Sequence, residues 1–250
     1  MKIHKNGHEI GSVDEWFKWA PPKRGASQWK DKRSAKELAQ SRLRTGKPEP
    51  PMELTSLLSR FFGPRIVFEE AFPECSVKLD DFEGETRNCD LVVVCHNGTQ
   101  RIAISIEAKA DESFGEQLVG AYYDSKKNSR SNVPPRIEQL SGALFGRVPD
   151  KQIRELRYQL LHAAAASLIA AEQHHAGSAV FLVDSFLSSG LSERKLKQND
   201  DDWAAFIRAF PELADAEIHA DQILGPVSVP GGRFVKPATP LYLGKIVTYL

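Results

Sequence analysis

Cysteine is scarce in this chain of 250 residues, with only Cys75, Cys89 and Cys95. An odd number without C-x-x-C spacing excludes a disulfide framework and a zinc knuckle, and it fits a reducing compartment. Net charge is also missing: 33 Lys and Arg balance 33 Asp and Glu. The molecule as a whole is therefore no polycation, and a nucleic acid would have to meet a local patch. Long apolar runs are absent. The longest, Leu160 to Ala171, is broken by His162 and is too short to span a bilayer. The opening residues, Met1-Lys-Ile-His-Lys-Asn-Gly-His, have no apolar core of the kind a secretory leader needs. These absences together give the expectation of a cytoplasmic protein with no membrane contact.

Phosphate-binding and nucleophile fingerprints are lacking too. There is no P-loop and no G-x-G-x-x-G, and Ser178 to Phe186 contains no nucleophile elbow. His4 and His8 have helical ligand spacing, but Gly7 lies between them and no further ligand is near. His174-His175, at a predicted helix end, is explained by the helix dipole.

What is present is an ordinary globular composition, 41% hydrophobic and 26% charged, with charge unevenly placed. Residues 1–50 hold twelve Lys and Arg against six Asp and Glu, whereas residues 51–100 hold four against nine. The basic first fifth also carries Trp16, Trp19 and Trp29. Aromatics among basic residues can form a nucleic-acid surface, but "WFKWA" reads better as the apolar face of a short docked helix. Ser12 with Glu15 reads as its capping box and Pro21-Pro22 as its stop. Ser34 with Glu37 predicts a second capped helix ending near Gly46, and "KPEPP" separates residues 1–50 as a basic, helical N-terminal extension.

Beyond it the pattern predicts a helix over 51–62 and extended segments near 76–79, 90–95 and 101–108. Helices follow over roughly 113–127, 136–145 and 151–174, the last N-capped by Asp150. A strand at "SAVFLVDSF", a helix over 200–210 and a strand at "LYLGKIVTYL" complete the chain. This order is α/β, bordering on α+β, with a small mixed sheet flanked by helices.

The sharpest local signal is Asn97-Gly98 between two β-rich runs, a hairpin turn. Taken as a two-residue turn, it sets Asp90 opposite Ser105 and Asn88 opposite Glu107. Ser105, Glu107 and Lys109 share one face because side chains alternate, and Asp90 joins them. Ile102, Ile104, Ile106 and Ala108 point into the core. Asp90 and Glu107, with Cβ atoms ~6–8 Å apart, can hold one small divalent cation. With no cation between them they repel, so Glu107→Ala is expected to stabilise the apo protein. Taken alone, Glu-x-Lys is more simply a salt bridge at a strand end.

"CDLVVVCHNGTQRIAISIEAK" resembles the core hairpin of the PD-(D/E)XK nuclease superfamily, the restriction-endonuclease-like fold. The likeness covers about residues 50–250, making 51–250 a nuclease-like domain, and its detailed run is similar to an uncharacterised bacterial family within that superfamily. The resemblance implies catalytic roles for Asp90, Glu107 and Lys109. It also implies a magnesium site, with manganese as a substitute, on Asp90, Glu107, the Ala108 carbonyl and an upstream acid. Glu74 is the first choice for that acid, with Glu53, Glu69 and Glu70 as rivals. Cys89 stands where the superfamily's name has proline. Gln117 and Tyr122 are one residue too far apart for a further helix motif, so Arg157 and Gln159 are the candidates to reach the site. Lys126, Lys127, Arg130 and Arg136 would grip backbone phosphates, with a solvated loop as the plainer reading. The implied activity is metal-dependent phosphodiester hydrolysis on nucleic acid, DNA foremost, and a homodimer is compatible with it. Two alternatives stand beside it: a catalytically silent binding protein of the same fold, and an enzyme acting on a nucleotide or other small substrate.

Overall fold

A computed structural model describes residues 1–82, 86–188 and 192–250. Its mixed sheet contains, in chain order, β1 (Lys2–Lys5), β2 (His8–Glu9), β3 (Val67–Val77), β4 (Arg87–His96), β5 (Arg101–Lys109), β6 (Ser178–Leu187), β7 (Gln222–Val227) and β8 (Leu241–Tyr249). Their spatial order is β2-β1-β3-β4-β5-β6-β8-β7. The centre, β3 to β5, is antiparallel, whereas β5, β6 and β8 run parallel. The α/β expectation therefore holds, with β1, β2, most of β3 and β7 added to it.

Helices cover both faces. On one side lie α1 (Val13–Trp19), α2 (Ser34–Arg42) and α3 (Met52–Phe62). Trp16, Leu38, Leu54 and Leu58 pack there against Leu91, Val93, Ile102, Ile104, Ile106 and Val180. On the other lie α4 (Val119–Lys126), α5 (Val133–Phe145), α6 (Lys151–Arg154), α7 (Tyr158–Gln173) and α8 (Glu193–Arg208). The small side chains Ala163 to Ala166, with Ala170 and Ala171, are buried and let α7 lie close against β5 and β6.

Residues 1–50 are therefore a wall of the fold and not an extension from it. β1 joins the sheet beside β3, and α1 and α2 bury core side chains. Arg42 of α2 and Asp184 of β6 form a fully buried ion pair at 2.8 Å, with Thr248 against the same carboxylate. The first capping box is present: Ser12 Oγ accepts the Glu15 N–H at 3.2 Å, and the Glu15 carboxylate accepts the Gly11 N–H. The second is not. Ser34 instead donates to Glu112, and the Glu37 carboxylate takes the Lys32 N–H, because the loop after β5 docks on α2. The predicted 151–174 helix divides into α6 and α7, with Asp150 capping α6.

The hairpin register differs from expectation by two residues. His96 pairs with Arg101 and Val92 with Ser105, so Asn97 to Gln100 form a four-residue loop. The reason is local: Asn97 Oδ1 accepts N–H groups from Thr99 and Gln100, and only Gly98 adopts positive φ. A two-residue slip preserves which face each side chain occupies, whereas a one-residue slip would not. Ser105 therefore pairs with Val92 instead of Asp90, and the ladder ends at Leu91 and Ile106, before Asp90.

Candidate active site

The β4–β5 ladder ends at Leu91 and Ile106. Beyond it Asp90 turns its carboxylate to the neighbouring strand, and Oδ2 accepts the Ala108 N–H at 2.8 Å. Glu74, on β3, has φ 47°, an uncommon value for a residue with a side chain. Around it the strands change face in concert. Phe72 and Val92, three residues from Cys75 and Cys89, pack into the same helix-covered cluster as those two cysteines. Glu74 and Asp90 sit at this irregularity.

Glu107, 3% exposed, is held from three sides. Lys109 donates to Oε1 at 2.8 Å, Gln159 of α7 donates to the same oxygen, and Arg87 of β4 pairs with Oε2. Burial alone would raise the Glu107 pKa, but Lys109 and Arg87 hold it below the usual carboxylate value. Asp90 goes the other way, to about 8, because burial and the Glu107 charge outweigh Lys109 and Arg87. Burial likewise raises Glu74, against Asn88 and Lys5. Two neighbouring carboxylates pushed apart in this manner are a signature of functional sites. Lys109, 7% exposed, lies over the Phe114 ring, 5.5 Å from its centroid.

A cleft of about 900 Å³ opens beside these groups, with Glu74, Arg87, Asn88 and Asp90 in its lining. Arg136, Tyr158 and His162 line it as well. Arg136 pairs with Asp80 through two N–H groups, and His162 follows Gln159 by one helical turn. Burial and the charges of Arg87, Lys109 and Arg136 keep the His162 imidazole neutral, with its pKa well below the ordinary value. Its buried Nδ1 has no hydrogen-bond partner among the described residues.

The structure thus brings Asp90, Glu107, Lys109 and Gln159 together; of these Asp90 lines the cleft, as do Glu74 and Arg136. It does not bring the others. Arg157 pairs with Asp202 at 2.8 Å, tying α7 to α8. Lys126, Lys127 and Arg130 lie at and beyond the end of α4, and none lines the cleft. Ala108 is at the site through its backbone, its N–H donating to Asp90, while its side chain packs in the opposite core. Of the rivals to Glu74, Glu69 pairs with Arg101, and Glu70 contacts His4 and Arg101. Sequence reasoning passed over Arg87 and the cleft role of His162. For His162 the signal was available, a polar residue interrupting an apolar run. Arg87 carried none, since its partner is supplied by strand pairing.

The donor set is carboxylate oxygens, the ligand type that a hard divalent cation takes. Asp90 has a raised pKa because burial and the Glu107 charge outweigh the compensation from Lys109 and Arg87. Glu107 would offer Oε2 once Arg87 withdraws. Among the described residues there is no group of three or more His, Cys, Asp and Glu placed to hold a metal ion.

Among the described residues no helix is long and apolar enough to cross a membrane. No curated protein and no solved structure matches the chain. A family model described as "Domain of unknown function (DUF6946)" matches residues 9–248, and the chain belongs to that family.

Proposed function

We propose that the protein is a metal-dependent phosphodiester hydrolase acting on nucleic acid, with DNA as the first candidate and the cytoplasm as its compartment. One observation carries this reading: Asp90, which lines the cleft, is hydrogen-bonded to the strand that carries the buried Glu107–Lys109 pair, with Gln159 fixing the Glu107 carboxylate. Asp90 and Glu107 are the residues that would hold magnesium or manganese, with Glu74 adjoining. When bound, such an ion neutralises charge on a phosphate and lowers the pKa of an attacking water. Lys109 donates hydrogen bonds; besides Glu107 it has N–H groups to orient that water or meet developing negative charge. Gln159 restrains rotation of the Glu107 carboxylate. The free thiols Cys75, Cys89 and Cys95 suit a reducing compartment.

The test is cleavage of single- and double-stranded DNA by chelator-stripped protein, before and after addition of magnesium or manganese. Metal-dependent cleavage that disappears in Asp90→Asn and Glu107→Gln is expected. Cleavage retained by both variants would reject the assignment.

A second reading, a catalytically silent protein of the same fold, is favoured by Arg87. Its guanidinium occupies Glu107 Oε2, the position a cation would need. Calorimetric titration with manganese separates the two. Binding by wild type, strengthened in Arg87→Ala, supports the hydrolase. Binding by Arg87→Ala alone supports the silent protein.

A further inference from the structure

We propose that the cleft takes one unpaired nucleotide of a single strand, with its base against Trp29. The inference rests on the hydrolase reading for the position of the phosphate, and it adds which form of nucleic acid enters.

The cleft lining combines two chemistries. Asp90, Glu74 and Arg87 supply charged groups, and Trp16, Pro22, Trp29 and Leu38 supply an apolar wall. Trp16 is a core residue of that wall, 2% exposed. Trp29 is half-buried and braced by Phe17, with ring centroids 5.1 Å apart. The amides of Gln28 and Asn88 also line the cleft and can meet the polar edge of a ring. Lys23 and Lys78 are exposed on its rim. A flat heteroaromatic ring joined to an anion satisfies all three features, and a nucleotide is that ligand.

Size and shape select its form. The volume lies within the range of small-ligand sites, about 300–1,000 Å³. A duplex keeps its base faces stacked inside and has none to offer Trp29, whereas a single strand does. Stacking on an indole tolerates every base, so this contact selects strandedness and not sequence. The tryptophans of the N-terminal wall therefore pack the core with one part and line the ligand cleft with another.

Fluorescence anisotropy of a labelled oligothymidylate and of its duplex, with the full chain in a chelating buffer, tests the proposal. The single strand should bind more tightly than the duplex. Trp29→Leu should weaken it by about five-fold or more, the low end of base–aromatic stacking, and Trp29→Phe should restore most of the affinity. Trp19→Leu is the control, because Trp19 stacks on His8 and does not line the cleft. Equal or tighter duplex binding, no strand binding, or unchanged affinity in Trp29→Leu would overturn it. The strand-against-duplex comparison needs no variant, so a failure of Trp29→Leu to fold leaves the test intact. Without metal, binding is read apart from hydrolysis. Strand binding without cleavage would remove the hydrolase reading alone, and cleavage of duplex without strand preference would remove this one alone.

Discussion

The Ala108 N–H donates to Asp90 Oδ2 at 2.8 Å, so one acid of the site is clamped to the strand that carries the other. The contact replaces a ladder hydrogen bond with a side-chain one at the point where β4 and β5 stop pairing. It positions Asp90 beside Glu107 without a neutralising partner of its own, while Arg87, Lys109 and Gln159 all attend Glu107.

That asymmetry predicts a pH-dependent stability for the metal-free protein. Asp90 has a folded pKa of about 8, above the ~3.9 of an unfolded aspartate. Its stabilising contribution is complete below pH ~4 and is lost as pH rises through about 8. Asp90→Asn removes this loss. The stability of Asp90→Asn relative to wild type should therefore grow between pH 5 and about 8.5, by at least ~1.4 kcal/mol, the equivalent of one pKa unit. Urea unfolding in chelating buffer across that range measures it, and a pH-independent difference would contradict the arrangement.

Glu107→Ala should destabilise the apo protein, by about 3–5 kcal/mol, because Arg87 and Lys109 would be left in a buried site without their anion. This reverses the sign expected from carboxylate repulsion alone. Lys109→Ala should cost less, about 1–2 kcal/mol, since Arg87 and Gln159 still hold Glu107. The metal response should separate the same two positions: Glu107→Gln weakens manganese binding, whereas Lys109→Ala retains it and slows hydrolysis. Calorimetric titration and chemical unfolding of the variants provide both readouts.

The Arg42–Asp184 pair predicts that residues 1–50 unfold with the rest. Arg42→Met alone should cost about 3–5 kcal/mol by stranding the Asp184 carboxylate. Arg42→Met with Asp184→Leu should recover most of that loss. A single cooperative transition in wild type, followed by both far-ultraviolet dichroism and tryptophan fluorescence, is the accompanying expectation.

Lys126, Lys127 and Arg130 lie outside the cleft and provide a separate test of phosphate binding. Their joint replacement by Gln should flatten the salt dependence of single-strand affinity, by about 0.7 in log–log slope for each phosphate that they no longer neutralise. An unchanged slope would leave them as a solvated loop. Arg136 belongs in a different experiment, since its pairing with Asp80 makes it part of the cleft wall.

The sequence by itself determined the face that Ser105, Glu107 and Lys109 share, because alternation along a strand is local and survives a two-residue error in the turn. It did not determine the place of Asp90, which sits where β3 and β4 change face. It also determined the isoleucine face of β5 and the capped helix carrying Trp16. Only the tertiary structure decided which cations meet Glu107. Arg87 reaches it through strand pairing, and Gln159 through the docking of α7, from positions 20 and 52 residues away in the chain. Tertiary packing also decided that residues 1–50 form a wall of the cleft, because a basic, tryptophan-bearing segment has the same local pattern whether it stands apart or closes over a sheet. The charge balance of the site followed from those long-range pairings, since electrostatic energies depend on distances that local sequence does not set.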